Sequence, residues 1–508
     1  MSTPCFRSLQ RALQVALLFA SLGLAGCGGL RSAAPTGGLA ASSQWEALSV
    51  GEPVLDQLRA GAQSANLVIC VIDAARADHV GCYGYPRDTT PSIDQLAKES
   101  VVFKNHFAPY PSTKPSTQSL FTGLFPDTQL AAQPRVADEA AFTLAKGLRA
   151  AGFRTAFFSS NIVASPESGV GGDFERVFVR PSARGQAKKE RIPLPKADLW
   201  RTPEGLTNVF GKWLAGERKS RFFAYCHLLP PHNPYDAPDE LRAMLAKEEP
   251  PAVRQGRLEF PEVQPPYGGF RPYSGRQWAN LYDANMRWAD WGVGEVVRLL
   301  RKYDLLDNTV LVITSDHGEA FGEHGYIYHS HAVYDEFVHI PLLIRFPGQQ
   351  RLVGEVAALT QTFDLLPTIF ELYQMPYPRE SVQGSSLVPL LDGEKSNSRE
   401  YVFATSAEPC LSYLVRDSDW SLIVHRGGKL RALYDLRRDP EQTRNVIAEH
   451  PGTVGEMTAA LQEFAQTQGC SLAELLSPPA AVTSAPKAPQ TTLPEETRRE
   501  LEALGYLR

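Results

Sequence analysis

The sequence predicts an α/β fold, in which a large, mostly parallel sheet carries helices on both faces and a smaller α+β subdomain follows. The first observation is that apolar runs such as Asn66–Asp73 and Thr309–Thr314 are continuous and rich in β-branched residues. Runs of this kind are typical of strands buried on both faces. The second is that such runs alternate with segments of helical spacing, which favours a parallel sheet covered by helices.

The predicted elements follow one another in a regular order. Helix Thr90–Glu99 has a proline at its second position, where an N-terminal turn tolerates it. Apolar residues at helical spacing predict that Tyr282–Lys302 packs one stripe against the sheet. The other predicted elements are strand Val101–Phe107, helix Pro115–Gly123, helix Phe142–Ala151, strand Arg154–Ser159, strand Phe222–Leu228 and strand His339–Phe346. Two long segments, 180–200 and 236–276, interrupt this order and are predicted to be site-shaping loops.

The composition narrows the class of protein. The chain has 508 residues, with 43% hydrophobic and 21% charged residues, as in an ordinary globular protein. Its formal net charge is −5, so it offers no basic excess to neutralise phosphates, and we expect no nucleic-acid partner. No internal run is long and apolar enough for a transmembrane helix.

The N-terminus is typical of an exported protein. Arg7 and Arg11 precede the apolar run Ala12–Leu24, and Leu24–Cys27 reads Leu-Ala-Gly-Cys. A basic start, a short apolar core and small residues indicate a signal peptide, and the last four residues resemble a bacterial lipobox. We therefore expect cleavage to leave a lipidated Cys27 and a lipoprotein on the periplasmic face of a membrane or at the cell surface. An ordinary signal peptide is the alternative.

The predicted domain organisation follows from these signals. Residues 1–26 are a lipoprotein signal peptide, and residues 27–64, rich in Gly, Ala and Ser, are a flexible tether. Residues 65–395 form the catalytic domain and residues 396–470 the C-terminal subdomain. Residues 471–508 are a linker and a short terminal helix.

Two predicted strands each end on a carboxylate. One run ends on Asp73, and the other leads into Asp316 and His317. Ligands of parallel sheets bind at the carboxyl edge, so these side chains are expected to form a metal site there. An Asp after a strand is more often a helix cap when it stands alone, and the pairing is what favours metal binding.

A hydroxyl residue lies between these strands at a predicted helix start. Thr113 stands two residues before Pro115, which places it at or just before a helix N-terminus. Unpaired amides and the positive end of the helix dipole favour an anion there, such as a threonine alkoxide attacking a phosphate or sulfate. The alternative is an N-cap threonine without a chemical role.

The ordered set of motifs resembles the sulfatases of the alkaline phosphatase superfamily over roughly residues 64–470. The resemblance implies the fold predicted above and hydrolysis of sulfate or phosphate esters. The matching segments are Val71–Gly84, Thr90–Leu96, Thr113–Gly123, Leu305–Glu319, Gly322–Gly325, Tyr334–Arg345, Asp364–Thr368, Gln383–Leu387 and Leu433–Pro440.

The chain departs from the family where the chemistry is concentrated. The family signature is Cys (or Ser)-x-Pro-x-Arg, with its first residue oxidised to formylglycine, but here Thr113 and Thr117 hold the Cys and Arg positions. A threonine cannot become the aldehyde. Ala74 replaces the second of two adjacent acids, and His317 replaces the more usual Asn. This set is more similar to the phosphoethanolamine and phosphoglycerol transferases, which use a metal-bound threonine.

The resemblance implies roles for further residues. His232 matches a histidine that contacts the anion and could protonate the leaving group. His329 and His331 lie where relatives hold the substrate with a Lys or His, although either could bind a second metal ion. Lys114 follows the nucleophile, as a substrate contact or as an exposed lysine. We interpret His227 as a core or supporting residue and His324 as structural.

The predicted metal ligands are therefore Asp73, Thr113, Asp316 and His317. They suit a divalent cation without selecting among Ca²⁺, Mg²⁺, Mn²⁺ and Zn²⁺. The favoured function is hydrolysis with Thr113 as metal-bound nucleophile, on a sulfated or phosphorylated small molecule, glycan or lipid head group. The alternatives are a phosphotransferase at the membrane surface and a non-catalytic glycan-binding relative.

Overall fold

The alternation of strands and helices is present in the structure, a computed structural model that describes residues 52–126, 142–179, 197–247, 275–348, 352–392, 399–406, 411–425 and 431–477. All of them belong to one compact unit, Gln44–Arg508. Within these ranges, none of the helices combines the length and apolarity that crossing a bilayer requires. The predicted signal peptide over residues 1–26, Cys27 and the predicted terminal helix lie outside the described residues.

The strands account for both predicted parts of the fold. In chain order they are β1 (Asn66–Ile72), β2 (Val101–Phe107), β3 (Arg154–Ser159), β4 (Arg176–Val179), β5 (Phe222–Leu228), β6 (Thr309–Ser315), β7 (Ala320–Phe321), β8 (Ile327–Tyr328), β9 (His339–Ile340), β10 (Leu342–Arg345), β11 (Gly354–Gln361), β12 (Val402–Thr405), β13 (Ser412–Arg416), β14 (Trp420–His425) and β15 (Arg431–Asp435).

Most helices lie between these strands in the chain, while one precedes the first strand and two follow the last. In chain order they are α1 (Glu52–Gln63), α2 (Pro91–Ala97), α3 (Thr113–Thr122), α4 (Leu144–Ala150), α5 (Ala197–Trp200), α6 (Pro203–Glu217), α7 (Asp239–Leu245), α8 (Gly275–Lys302), α9 (Asp335–Val338), α10 (Leu365–Leu372), α11 (Pro451–Thr467) and α12 (Leu472–Leu476).

The main sheet has nine strands in the order β11-β2-β10-β6-β1-β5-β3-β4, with β9 paired to β2. The pairings are parallel except those made by β9 and β10, so the predicted α/β class is confirmed. The register pairs Ile72 of β1 with Ser315 of β6 and with Leu228 of β5. The three central strands therefore end at the same level of the sheet.

Side chains of β1 alternate between two cores, because successive residues of a strand point to opposite faces. Leu67, Ile69 and Val71 join the core that includes residues of α1, α3, α4 and α10. Val68 and Cys70 join the core that includes residues of α2, α6 and α8. Helices therefore cover both faces, as predicted, and every residue of β1 is buried.

The C-terminal part forms the smaller predicted subdomain. Strands β12 to β15 make an antiparallel sheet in chain order. Met457, Leu461 and Ala465 of α11 share a core with Tyr413 and Val415 of β13. The spacing of the helical residues, at i, i+4 and i+8, presents one apolar stripe to the sheet.

Four short helices correct the predicted connections. The flexible tether predicted over residues 27–64 is wrong for Glu52–Gln63, which form α1 and bury Leu55, Leu58 and Ala62 in the main core. Helix α5 lies within the predicted 180–200 loop and α7 within the predicted 236–276 loop, and α12 begins the predicted 471–508 linker. Short helices draw most of their stability from packing on other elements, so their own sequences carry a weak signal.

One buried carboxylate makes the stability of the fold depend on pH. Asp290 of α8 accepts hydrogen bonds from the backbone amides of Ser92 (3.0 Å) and Ile93 (2.8 Å), in the first turn of α2. Burial raises the pKa of Asp290 from 3.8 to about 7, although these amides oppose the rise. The folded state therefore holds this proton more tightly than the unfolded state does between these two pH values.

We expect the free energy of unfolding of the wild type to fall, relative to that of Asp290→Asn, as pH rises from about 4 to 7. The asparagine remains neutral, so this contribution to the pH dependence is lost. Urea unfolding of both proteins across this range measures the difference. A constant difference would contradict the raised pKa of Asp290.

Candidate active site

Two carboxylates lie side by side at the carboxyl edge of the central strands. Asp73 and Asp316 directly follow β1 and β6, and their exposed fractions are 0% and 2%. The backbone amides of Ala74 (3.1 Å) and His317 (3.0 Å) donate to Asp316 Oδ1 and fix that carboxylate. Among the described residues, Asp73 Oδ1 and Asp316 Oδ2 have no hydrogen-bond partner. Buried anionic oxygens without partners call for a compensating group.

His317 faces both carboxylates through its Nε2 atom. Its Nε2 lies 3.5 Å from Asp73 Oδ1 and 3.6 Å from Asp316 Oδ2. Its Nδ1 lies 2.8 Å from the carbonyl oxygen of Gly318, which can only accept. Nδ1 therefore donates to that carbonyl oxygen, and Nε2 is the ring nitrogen that could bind a cation.

Thr113 lies beside the same carboxylates, on one of the helices that cover the sheet. It is the first residue of α3, after an extended Ser112, and is fully buried. Its Oγ1 lies 3.2 Å from His317 Nε2. The hydroxyl thus stands at the positive end of a ten-residue helix, as the sequence predicts. The four predicted ligands, Asp73, Thr113, Asp316 and His317, lie together.

The structure adds two residues that the sequence analysis did not assign to the site. His227, near the end of β5, places Nε2 3.0 Å from Asp73 Oδ2 and 3.7 Å from Asp316 Oδ2. Asn161, just after β3, donates through Nδ2 to Asp73 Oδ2 (2.5 Å) and to Thr113 Oγ1 (3.4 Å). The sequence could have indicated His227, because this residue lies near the end of a predicted strand. No comparable feature of the sequence indicates Asn161.

The residues present fit a divalent cation. One potential ligand atom each from Asp73, His227 and Asp316 lies within 4.8 Å of the other two. Burial alone would raise the pKa of Asp73, but the imidazoles of His232, His227 and His317 hold it well below its ordinary value. Ionised carboxylates, imidazole nitrogens and a hydroxyl are established ligands of such ions.

A second group of histidines lies beside this centre. The ring centroid of His329 is 4.5 Å from that of His317 and 4.8 Å from that of His232. His329 Nδ1 contacts Glu319 Oε1 at 3.2 Å. Burial and the neighbouring imidazoles lower the pKa of His329 well below its ordinary value, so this ring is neutral. Burial raises the pKa of Glu319 to about 7.

The lysine and the other two histidines discussed in the sequence differ in their burial and contacts. Lys114 is half-buried, and burial lowers its pKa. His331 is partly exposed and lies close enough to His329 to act on it electrostatically. His324 instead joins Glu336 (2.7 Å) to the carbonyl oxygen of Gln442 (3.0 Å), and so ties the main domain to the C-terminal part.

The comparisons with known proteins cover nearly all of the described chain. Residues 65–375 match the Sulfatase family model, and residues 322–468 match the model of the C-terminal part of N-sulphoglucosamine sulphohydrolase. The chain is similar to the N-acetylgalactosamine-6-O-sulfatase of Bacteroides thetaiotaomicron, at 24% identity over 488 residues. That alignment covers 79% of this chain and 93% of the relative.

Solved structures share the fold at low sequence identity. A protein solved in complex with its substrate, D-glucosamine-2-N,6-O-disulfate, has a TM-score of 0.64 and 20% identity, over 80% of this chain and 98% of that one. The phosphonate monoester hydrolase of Agrobacterium radiobacter has a TM-score of 0.63 and 22% identity, over 80% of this chain and 96% of that one. These likenesses establish the fold.

We expect Asp316→Asn to weaken divalent-metal binding by more than about a hundredfold, because it removes a negative charge in direct contact with the ion. Metal content after dialysis, measured by mass spectrometry, tests this. Asp290→Asn, which changes a buried carboxylate capping α2, is the control and should keep its metal. Full metal content in Asp316→Asn would show that this carboxylate is not a ligand.

Proposed function

Since the chain belongs to the sulfatase family, whose model spans residues 65–375 of its 508, we propose that it is a metal-dependent hydrolase with Thr113 as its nucleophile. The family and its relatives make it an ester-hydrolysing enzyme. The position of the Thr113 hydroxyl, 3.2 Å from His317 Nε2 and at the start of α3, carries the proposal. The hydroxyl lies where the proposed metal ligands and a helix N-terminus meet.

The chain's own residues supply positioning and charge. Asn161 Nδ2 bridges Thr113 Oγ1 and Asp73, so it orients the hydroxyl relative to the carboxylates. The positive end of the α3 dipole would stabilise negative charge on the ester's oxygens. A divalent cation bound by Asp73, Asp316 and His317 would lower the pKa of the hydroxyl and offset charge on the transferred group.

The reaction proceeds in two displacements. Thr113 Oγ1, whose proton has passed to solvent, attacks as the alkoxide and forms a bond to phosphorus or sulfur as the bond to the ester oxygen breaks, and the departing oxygen takes a proton from His232. His232 suits this role because its Nδ1 faces the carbonyl oxygen of Asn233 at 2.6 Å. Nε2 is then the ring nitrogen that transfers the proton to the departing oxygen. Water then displaces the threonyl oxygen and gives a proton back to His232, which restores the Thr113 alkoxide and the protonated imidazole.

The threonine favours phosphorus as the reacting atom. Formylglycine expels sulfate through a hemiacetal, and a sulfated threonine has no such route. Its turnover requires direct attack of water on sulfur, whereas a phosphothreonine is open to attack by water or by an acceptor alcohol. We therefore expect phosphate monoesters or diesters to be hydrolysed faster than sulfate esters.

The substrate proposed from the relatives is an anionic ester of a glycan or a small molecule. The similar N-acetylgalactosamine-6-O-sulfatase is named for a sulfated sugar. His329 lies beside the centre, and we propose that it contacts the sugar or the anion together with His331 and Lys114. A phosphorylated lipid head group fits the same chemistry at a membrane surface.

We expect Thr113→Ala to lower turnover of the preferred ester by on the order of a thousandfold or more, because the nucleophile is lost. Aryl sulfate, phosphate monoester and phosphodiester substrates are compared on the wild type and the variant. Thr122→Ala, at the other end of α3, is the matched control and should retain activity.

Mass spectrometry of the wild type during turnover should find the transferred group on Thr113. Product analysis with an added alcohol separates hydrolysis from phosphotransfer to that alcohol. Strong arylsulfatase activity that survives Thr113→Ala would overturn both the nucleophile and the preference for phosphorus.

We also propose that Cys27 anchors the mature protein to a membrane. Cys27→Ser should leave the protein unprocessed or soluble, because the acyl chains would have no attachment site. Fractionation and the mass of the N-terminal peptide measure this, with Cys5→Ser, inside the predicted signal peptide, as the control. A mature wild-type protein without acyl mass on Cys27 would refute the anchor.

A further inference from the structure

We propose that His227 is a direct metal ligand, which makes this a site with two imidazoles and two carboxylates that prefers Zn²⁺ to Ca²⁺. The inference rests on the proposed function only in using the same metal centre. The side chain of Ala74, the neighbour of Asp73, carries no ligand atom, so the end of β1 contributes a single carboxylate. The neighbouring strand β5 supplies the additional group.

The position of His227 follows from the register of the sheet. β5 pairs in parallel with β1, and His227 is the register partner of Val71, two residues before Asp73. Its ring is fully buried, with Nε2 3.0 Å from Asp73 and 3.7 Å from Asp316. Because the ring is buried, bulk water does not compete for this nitrogen. The ring and both carboxylates therefore face one common volume.

A tyrosine orients the ring. The hydroxyl of Tyr225 lies 2.9 Å from His227 Nδ1. The phenol ring is held by stacking on Phe157, with ring centroids 5.0 Å apart and an interplanar angle of 11°, and Thr117 lies beside it. Without a bound cation, Nε2 donates to Asp73 Oδ2 at 3.0 Å. When a cation takes the place of that proton, the phenol oxygen can accept the Nδ1 proton, which leaves the Nε2 lone pair for the ion.

The chemical types of these ligands determine which ion the site prefers. Ca²⁺ takes six to eight oxygen ligands, and Mg²⁺ keeps oxygen ligands and water. Imidazole nitrogens from His227 and His317, with Asp73, Asp316 and Thr113, instead match the nitrogen and oxygen set of Zn²⁺. Both rings have their Nδ1 engaged by another group, at 2.9 Å and 2.8 Å, so both present Nε2.

The test is metal binding by the full-length protein after removal of metal with a chelator. Zn²⁺ affinity is measured by competition with a chromophoric chelator, and Ca²⁺ affinity by calorimetry. X-ray absorption of the zinc-loaded protein counts the imidazole ligands. The wild type should bind Zn²⁺ at least about a hundredfold more tightly than Ca²⁺ and show two imidazoles.

Two variants separate the ligand from its support. His227→Gln should weaken Zn²⁺ binding by more than about a hundredfold and leave one imidazole, and Tyr225→Phe should weaken it by about tenfold. The controls are His106→Gln, a buried histidine on β2, and Tyr373→Phe, a buried tyrosine bonded to the Asn66 carbonyl oxygen. Neither control should change Zn²⁺ affinity.

The inference is overturned if Ca²⁺ binds as tightly as Zn²⁺, or if His227→Gln keeps two imidazoles. If His227→Gln does not fold, an unchanged Zn²⁺ affinity in Tyr225→Phe overturns it. These readouts do not depend on turnover. A protein that binds Zn²⁺ through His227 but hydrolyses no ester would contradict the proposed function and leave this inference standing.

Discussion

The burial of two carboxylates at one edge of the sheet is the constraint on which the rest of the site depends. Asp73 and Asp316 are brought together by the pairing of β1 with β6, and neither can be left uncompensated in an interior of low dielectric. The surrounding polar groups compensate the charge of the two carboxylates. His227 and His317 face the carboxylates, and the amide of Asn161 binds Asp73.

The loops that carry these carboxylates are tied to each other. Arg76 donates to the carbonyl oxygen of Glu319 (3.0 Å) and to the carboxylate of Glu323 (2.7 Å), which joins the loop after β1 to the loop after β6. The hydroxyl of Tyr282 donates to the Ala74 carbonyl (2.8 Å) and accepts from the Arg76 amide (2.9 Å). Ala74 has φ of 61°, a left-handed conformation that costs energy for a residue with a side chain and persists because these bonds hold it.

Much of this fold and part of this site could be predicted from the sequence, because the signals concerned are local. An apolar run indicates a buried strand, and a carboxylate directly after the run lies at the end of that strand. Asp73, Asp316 and His317 were predicted in this way. Thr113 was found from the proline two residues later, which marks a helix start. Helix α1 was missed because its apolar residues are few and its stability comes from contacts with distant elements.

The sequence by itself determined the fold class, the strands and which side chains follow β1 and β6, since these depend on burial and on neighbours along the chain. Only the tertiary structure decided that His227 and Asn161 belong to the site. β5 lies beside β1 although about 150 residues separate them, and Asn161 leaves β3, which pairs with β5. Which strands become neighbours depends on the crossovers between them and on packing against both layers of helices. A group of side chains drawn from several strands is therefore brought together by the topology of the sheet.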